Sequence, residues 1–100
     1  MDEQYYDILA KVEAYITVLS KLTKEERAKS VSATYATDYN KLLELFLKAY
    51  SNKKDYAPPK VEMDSSTGMM TQVFANYSEI HTYAEQIKNL LEAIDLNNTP

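Results

Sequence analysis

Residues 70–94, MTQVFANYSEIHTYAEQIKNLLEAI, carry the most regular apolar pattern in the chain. The apolar positions recur at alternating spacings of three and four, which is typical of a helix that packs lengthwise on another helix. They are Met70, Val73, Tyr77, Ile80, Ala84, Ile87, Leu91 and Ile94. A half-buried β-strand would instead need an apolar residue at every second position. The pattern therefore predicts one long third helix over residues 66–96, capped by Asp64, Ser65 or Ser66.

The N-terminal part of the chain repeats this pattern and predicts helix one over residues 2–22. Its apolar positions are Tyr5, Ile8, Val12, Tyr15, Leu19 and Leu22. Leu9 and Ile16 widen the apolar stripe on one flank, as expected for a helix covered by two neighbours.

Helix two is predicted over residues 24–50. Thr23 and Glu26 have the spacing of a capping box, in which a threonine and a glutamate three residues later bond each other's backbone N–H. The short connection to helix one predicts an antiparallel hairpin. Residues 30–38 are poor helix formers, so a kink there, or a break with Thr37 or Asp38 capping a new helix, stays open.

Residues 51–66 form the one long connection. Pro58 and Pro59 disfavour a helix through their neighbours. The segment is either a crossover or a flexible loop, and since sixteen extended residues span about 50 Å, helix three can run in either direction. We predict a single all-α domain over residues 1–100, with a polar tail at 97–100. Wide apolar stripes on three long helices favour completion of the bundle by dimerisation.

Composition excludes several kinds of chemistry. The chain has no cysteine, so disulfides, thiolate metal sites and cysteine nucleophiles are absent. The formal net charge is −4, and the short basic patch of Lys24, Arg27 and Lys29 is balanced by Glu25 and Glu26, which argues against direct nucleic-acid binding. No apolar run is long enough to cross a membrane, and no basic, apolar leader opens the sequence. We therefore expect a cytoplasmic protein without membrane contact.

The sequence gives little support for a metal site or a catalytic centre. His81 is the single histidine, and Glu85 lies one helical turn further on, but two ligands are too few for a catalytic metal. We interpret His81 as a partly buried structural residue. Glu92 and Asp95 resemble half of the acidic magnesium site of all-α nucleotide pyrophosphohydrolases. Lys29 breaks the other half after Glu25 and Glu26. No catalytic residue, metal or cofactor is predicted.

Tyrosine is unusually abundant, with nine residues against two phenylalanines and no tryptophan. Six of the tyrosines fall on core-facing positions by spacing: Tyr5, Tyr15, Tyr35, Tyr39, Tyr50 and Tyr77. One interpretation is that a thin core uses amphipathic rings at its edges. The other is that the rings form a protein interface, where tyrosine is enriched. The candidate interaction residues are Tyr6, Tyr39, Tyr50, Tyr56, Phe74, His81, Tyr83 and Leu90.

These patterns favour a small non-catalytic α-helical protein–protein interaction module of the adaptor, assembly-chaperone or inhibitor type. Its partner would be another protein, a second copy of the chain, or both. Two alternatives stay open: a structural subunit of a homo-oligomer, and a magnesium-dependent nucleotide-processing enzyme that uses acidic helix residues.

Overall fold

The computed structural model describes residues 3–65 and 71–98, with side chains as far as Ile94. Most of the described chain is helical, and two short strands form a minor sheet. The all-α class predicted from the sequence is confirmed. The elements in chain order are α1 (Glu3–Ser20), α2 (Lys24–Arg27), α3 (Ala33–Ala49), a 3₁₀ helix (Ser51–Tyr56), β1 (Met63–Asp64), β2 (Gln72–Val73) and α4 (Tyr77–Asn98).

The core lies between α1, α3 and α4, and the three-four pattern identifies most of the side chains that fill it. The α1 core residues are Tyr5, Ile8, Val12, Ile16 and Leu19. The α4 core residues are Ile80, Ala84, Ile87, Leu91 and Ile94. Since apolar burial stabilises a fold by about 25 cal/mol per Å², these two stripes account for much of the driving force that brings the first and last helices together.

Contacts between the helices fix their directions. The Tyr5 hydroxyl near the start of α1 donates to the Leu91 carbonyl oxygen near the end of α4 (3.1 Å), so these helices are antiparallel. The Tyr35 and Tyr77 rings, at the starts of α3 and α4, lie 5.8 Å apart. Helices α3 and α4 therefore run parallel, and α1 runs against both.

Helix two is not continuous over residues 24–50, which corrects the main prediction for that segment. The Thr23–Glu26 capping box is present, but α2 ends at Arg27. Helix α3 begins after Ser32, whose side chain accepts a hydrogen bond from the Tyr35 N–H. The cap is therefore Ser32, whereas Thr37 lies inside α3 and donates its hydroxyl to the Ala33 carbonyl.

The break between α2 and α3 is caused by tertiary contacts. The Val31 N–H donates to the Ala75 carbonyl (3.0 Å), and the Tyr77 N–H donates to the Lys29 carbonyl (3.1 Å). Ser30 and Asn76 form an antiparallel bridge between these bonds. A helical backbone at 29–31 would lose this pairing, so the chain leaves the helix after Arg27 and Ser30 pairs with Asn76.

Helix α4 begins at Tyr77, so the prediction of helix from residue 66 is wrong at its start. Residues 66–70, including Met70, lie outside the described part, and residues 71–76 are not helical. Val73 is buried as its spacing suggested, but it lies in β2 and pairs with Met63 of β1. At the other end, α4 continues to Asn98, within the stretch predicted as a polar tail.

The connection between α3 and β1 runs back along α3. After the 3₁₀ helix, residues 57–62 form an extended segment. This segment brings Pro59 to the Tyr39 hydroxyl, which donates to the Pro59 carbonyl (2.9 Å). The Asn40 side chain then holds Val61 by two hydrogen bonds. Its Nδ2 donates to the Val61 carbonyl (3.0 Å), and its Oδ1 accepts from the Val61 N–H (2.9 Å). This path carries the chain to the end of the molecule where α4 begins.

Candidate interaction surface

Five of the nine tyrosines form one internal group, here called the tyrosine cluster. Its members are Tyr15, Tyr35, Tyr39, Tyr77 and Tyr83. The Tyr15 and Tyr35 rings are stacked with centroids 4.3 Å apart, and the Tyr39 ring lies 6.0 Å from that of Tyr83. Contacts of this kind contribute about 0.5–1.5 kcal/mol each beyond area burial. The cluster joins α1, α3 and α4 and is part of the fold.

Hydrogen bonds to backbone groups fix four of the phenol hydroxyls of the cluster, those of Tyr15, Tyr35, Tyr39 and Tyr77. Tyr15 donates to the Tyr35 carbonyl oxygen (2.9 Å), and Tyr35 donates to the Tyr15 carbonyl oxygen (3.2 Å). The Tyr77 hydroxyl accepts from the N–H of Ser32, the residue that caps α3 (3.3 Å). These bonds show why tyrosine rather than phenylalanine occupies the positions, since the hydroxyls pair with backbone groups between helices.

Burial raises the pKa of three phenols of the cluster. The pKa of Tyr35 is raised to about 12, first by burial and then by the charges of Tyr77 and Asp38. Burial is also the main cause that raises the pKa of Tyr15 and that of Tyr39. These hydroxyls are therefore hydrogen-bond donors throughout the physiological pH range.

Four of the predicted interaction residues contribute to the interior. Tyr39 has 0% exposure, so its side chain belongs to the core and is not available on the monomer surface. Tyr50 packs with its ring 5.6 Å from that of Phe46, and Tyr83 packs on Tyr39. Tyr50, Tyr83 and Leu90 are half-buried and pack against the core.

His81 is half-buried on α4, with its Nε2 3.4 Å from the Glu85 Oε1. Within residues 3–65 and 71–94, no three His, Asp or Glu side chains come together in a way that could hold a metal ion. Glu92 lies 3.9 Å from Lys88, and the Asp95 side chain is outside the described part. Glu26 is part of the capping box, and hydrogen bonds from Thr23 lower the pKa of its carboxyl.

Two of the predicted residues are exposed aromatics on connecting segments. Tyr56 is 71% exposed at the end of the 3₁₀ helix, and Phe74 is 55% exposed just after β2. The Phe74 N–H donates to the Glu62 carbonyl (3.0 Å), which holds this backbone beside the extended segment. Single exposed aromatic residues are common on monomers and do not by themselves define a surface.

Tyr6, in contrast, belongs to a longer apolar surface on α1. Tyr6, Ala10, Ala14 and Val18 recur at every fourth position, and all four are exposed. Tyr6 is 57% exposed and Val18 53%. Val12, midway between Tyr6 and Val18 along the chain, is buried in the core. With 3.6 residues per turn, the four exposed residues lie on the opposite side of α1 from Val12, which is the side that faces away from the core. We call these four residues the outer face of α1.

Charged side chains surround the outer face of α1 unevenly. Glu3 and Asp7 lie at its N-terminal end, and Lys21 lies just beyond its C-terminal end. Asp7 and Lys11 form an ion pair with an N–O distance of 3.0 Å at one margin. The outer face therefore has an apolar centre, an acidic end and a basic end.

Two clefts lie away from this face. The first, of about 430 Å³, is lined by Leu22, Lys24, Arg27, Ala28, Asn76 and Ser78. Arg27 there donates to the Leu22 and Ser20 carbonyls, and Asn76 forms a capping box with Glu79. The second, of about 490 Å³, is lined by Ser30, Val31, Ser32, Ala33, Thr71, Gln72 and Val73. Polar groups of the first cleft thus already stabilise the fold.

In comparisons with known proteins, no family model, no curated protein and no solved structure matches the chain. Among the described residues, no helix is both long and apolar enough to pass through a lipid bilayer.

Tyr6 could be recognised from the sequence as a candidate, but Ala10, Ala14 and Val18 were missed. A signal was present, because the four residues share a spacing of four on the side opposite the three-four stripe. Alanine contributes little to such a pattern, since it is small and is also the best helix former.

Proposed function

We propose that this protein is a small non-catalytic interaction module that binds a partner protein through the outer face of α1. The observation that carries the proposal is that α1 carries apolar residues on two opposite sides. One side fills the core, and the other presents Tyr6, Ala10, Ala14 and Val18 to solvent, with the polar Asp7 and Thr17 among them.

A helix on the surface of a globular protein is expected to be polar on the side away from the core. On α1 that side carries four apolar residues, with Asp7 among them and the other charges at its ends and margins. An exposed apolar stripe on a helix costs solubility unless a partner covers it. A second protein surface that packs on the stripe would remove it from water and so relieve this cost.

The shape of the outer face favours a helix as the bound element. Alanine at positions 10 and 14 lets the backbone of another helix approach closely, while Tyr6 and Val18 supply larger contacts on either side. Helix-in-groove and helix-on-helix recognition use anchors with this spacing. Tyr6 is suited to the interface, because its ring offers apolar area and its hydroxyl stays able to bond at the rim.

Site-specific photocrosslinking tests the proposal. The chain has no cysteine, so Ala14→Cys creates a single attachment point for a thiol-linked photocrosslinker on the outer face. The matched control is Asn89→Cys, at an exposed position of α4. Both variants should keep the helical circular-dichroism spectrum of the parent.

We expect the probe at position 14 to give one discrete protein adduct in extracts of cells that make the chain, and the probe at position 89 to give none. An adduct with a second copy counts as a partner here. Equal adduct patterns from both positions, or no adduct from position 14, would exclude the outer face of α1 as the interaction surface.

A further inference from the structure

We infer that the partner of the outer face of α1 is a second copy of this chain, bound with the two α1 helices antiparallel. This inference rests on the proposed function and names the occupant of the same surface. It is carried by the distribution of charge and of residue size along α1, which is complementary to itself only in that orientation.

Six pairs of exposed residues are equidistant along the chain from Val12, and three of these pairs make up the outer face of α1 and its charged ends. These three pairs are Glu3 with Lys21, Tyr6 with Val18, and Ala10 with Ala14. A two-fold axis beside Val12 places each residue at the same height as the other member of its pair on the second copy. Closed two-fold pairing is the commonest form of homo-oligomer and requires such a self-complementary patch.

The charges distinguish the two possible directions. In an antiparallel pair, Glu3 of each copy faces Lys21 of the other, so both ends are attractive. In a parallel pair, Glu3 would face Glu3 and Lys21 would face Lys21, and both ends would repel. Both side chains are exposed, so each pair contributes weakly and selects a direction without dominating the affinity.

Residue size supports the same arrangement. Ala10 and Ala14 lie nearest the crossing point, where small side chains let two helices approach to about 8–10 Å. Tyr6 and Val18 lie further out and pack on either side of the crossing. Lys11 is at the margin and is already neutralised by Asp7 of its own chain at 3.0 Å.

The contact is limited to the 18 residues of α1 and the adjoining Lys21 from each copy. Such an area is at the low end for specific interfaces, which gives a weak and concentration-dependent dimer. Because the end pairs are electrostatic, added salt should weaken the dimer further.

Sedimentation velocity with a charge-swap series tests the inference. The proteins are the parent, Glu3→Lys, Lys21→Glu and an equimolar mixture of the two variants, measured at low salt from the low to the high micromolar range. Each single variant makes like charges face each other at both ends of an antiparallel homodimer. In the mixed dimer, each end instead brings a lysine of the Glu3→Lys chain opposite a glutamate of the Lys21→Glu chain, so both ends are attractive again.

We expect the parent to dimerise, each variant alone to dimerise about tenfold more weakly, and the mixture to recover the parent's affinity as a heterodimer. The matched controls are Glu44→Lys and Lys41→Glu, which make the same charge changes at exposed positions of α3 and should leave the affinity unchanged. Thermal unfolding of each variant excludes a folding defect, and Glu3→Lys should lower the Tm only slightly, because it removes a favourable negative charge from the helix N-terminus.

A parent that stays monomeric throughout, a dimer indifferent to both substitutions, or a mixture that does not recover the affinity would each overturn the inference. A position-14 adduct with a different protein would also overturn it while supporting the proposed function. Absence of any adduct at position 14 would instead remove the proposed function itself.

Discussion

At the scale of single residues, the fold depends on polar groups that connect distant parts of the chain. Asn40 is buried on α3 and satisfies both backbone groups of Val61 in the extended segment. Tyr15 and Tyr35 bond each other's carbonyl oxygens between α1 and α3. An unpaired buried donor or acceptor costs more free energy than a made bond contributes, so these residues should be sensitive to substitution.

Asn40→Ala should destabilise the protein by about 2–4 kcal/mol, because it leaves the Val61 N–H and carbonyl buried without partners. Urea unfolding followed by circular dichroism measures the change. Asn89→Ala makes the same chemical change at an exposed helix position and should be neutral or slightly stabilising. Equal free energies of unfolding for the two variants would show that the Asn40–Val61 bonds do not hold the extended segment.

Alkaline pH should destabilise the protein through the tyrosine cluster. The pKa of Tyr35 is about 12 in the fold and about 10 in an unfolded chain. The raised pKa means that its stabilising contribution is complete below pH about 10 and is lost as the pH rises toward about 12. Unfolding free energies measured at several pH values across this window should fall steeply.

Tyr35→Phe should lose about 1 kcal/mol at neutral pH through its bond to Tyr15, and its stability should fall less steeply between pH about 10 and 12. Tyr56→Phe, at a position that is 71% exposed, should leave the neutral-pH stability unchanged. A Tyr35→Phe curve parallel to that of the parent across the window would contradict the role assigned to this phenol.

At the scale of elements, the helices follow local patterns, but their ends are set by tertiary contacts. Asn76 and Glu79 form a capping box at the start of α4: the Glu79 N–H donates to the Asn76 Oδ1 (2.8 Å), and the Asn76 N–H donates to the Glu79 Oε1 (3.1 Å). From the sequence this cap is expected at residues 64–66, because the apolar spacing continues back through Val73.

Asn76→Ala should therefore destabilise the protein by about 1 kcal/mol, as expected for loss of an N-cap. Ser65→Ala removes an exposed candidate cap of the sequence prediction and should have no measurable effect. Thermal or urea unfolding of both variants compares the two assignments directly. A larger loss for Ser65→Ala would mean that α4 begins earlier than Tyr77.

The core stripes of α1 and α4 could be predicted because a three-four spacing is a local property of the chain. The break after α2 and the late start of α4 could not, since both arise from pairing of residues 29–31 with residues 75–77. Val73 shows the difficulty: a buried residue in a short strand fits a helical spacing by position alone. On the candidate surface, Tyr6 was recognised by its residue type, whereas Ala10 and Ala14 required knowledge of which side of α1 is free.

At the scale of the whole molecule, the described chain is elongated, with extents of 52 × 29 × 21 Å and a Cα radius of gyration of 14.5 Å. An antiparallel pairing through α1 joins two copies side by side. Small-angle X-ray scattering should then show the radius of gyration rising with protein concentration while the longest dimension changes little from 52 Å. A longest dimension that nearly doubles would indicate end-to-end association instead.

The connectivity of the core also has a consequence for how the chain reaches its native state. Helix α1 packs more extensively on α4 than on α3, and the Tyr5–Leu91 bond closes nearly the full length of the sequence. During synthesis, α1 leaves the ribosome long before its main partner exists. Packing on α3 covers only part of its inward side, so the rest of the α1 core stripe stays exposed in the nascent chain until α4 has been made.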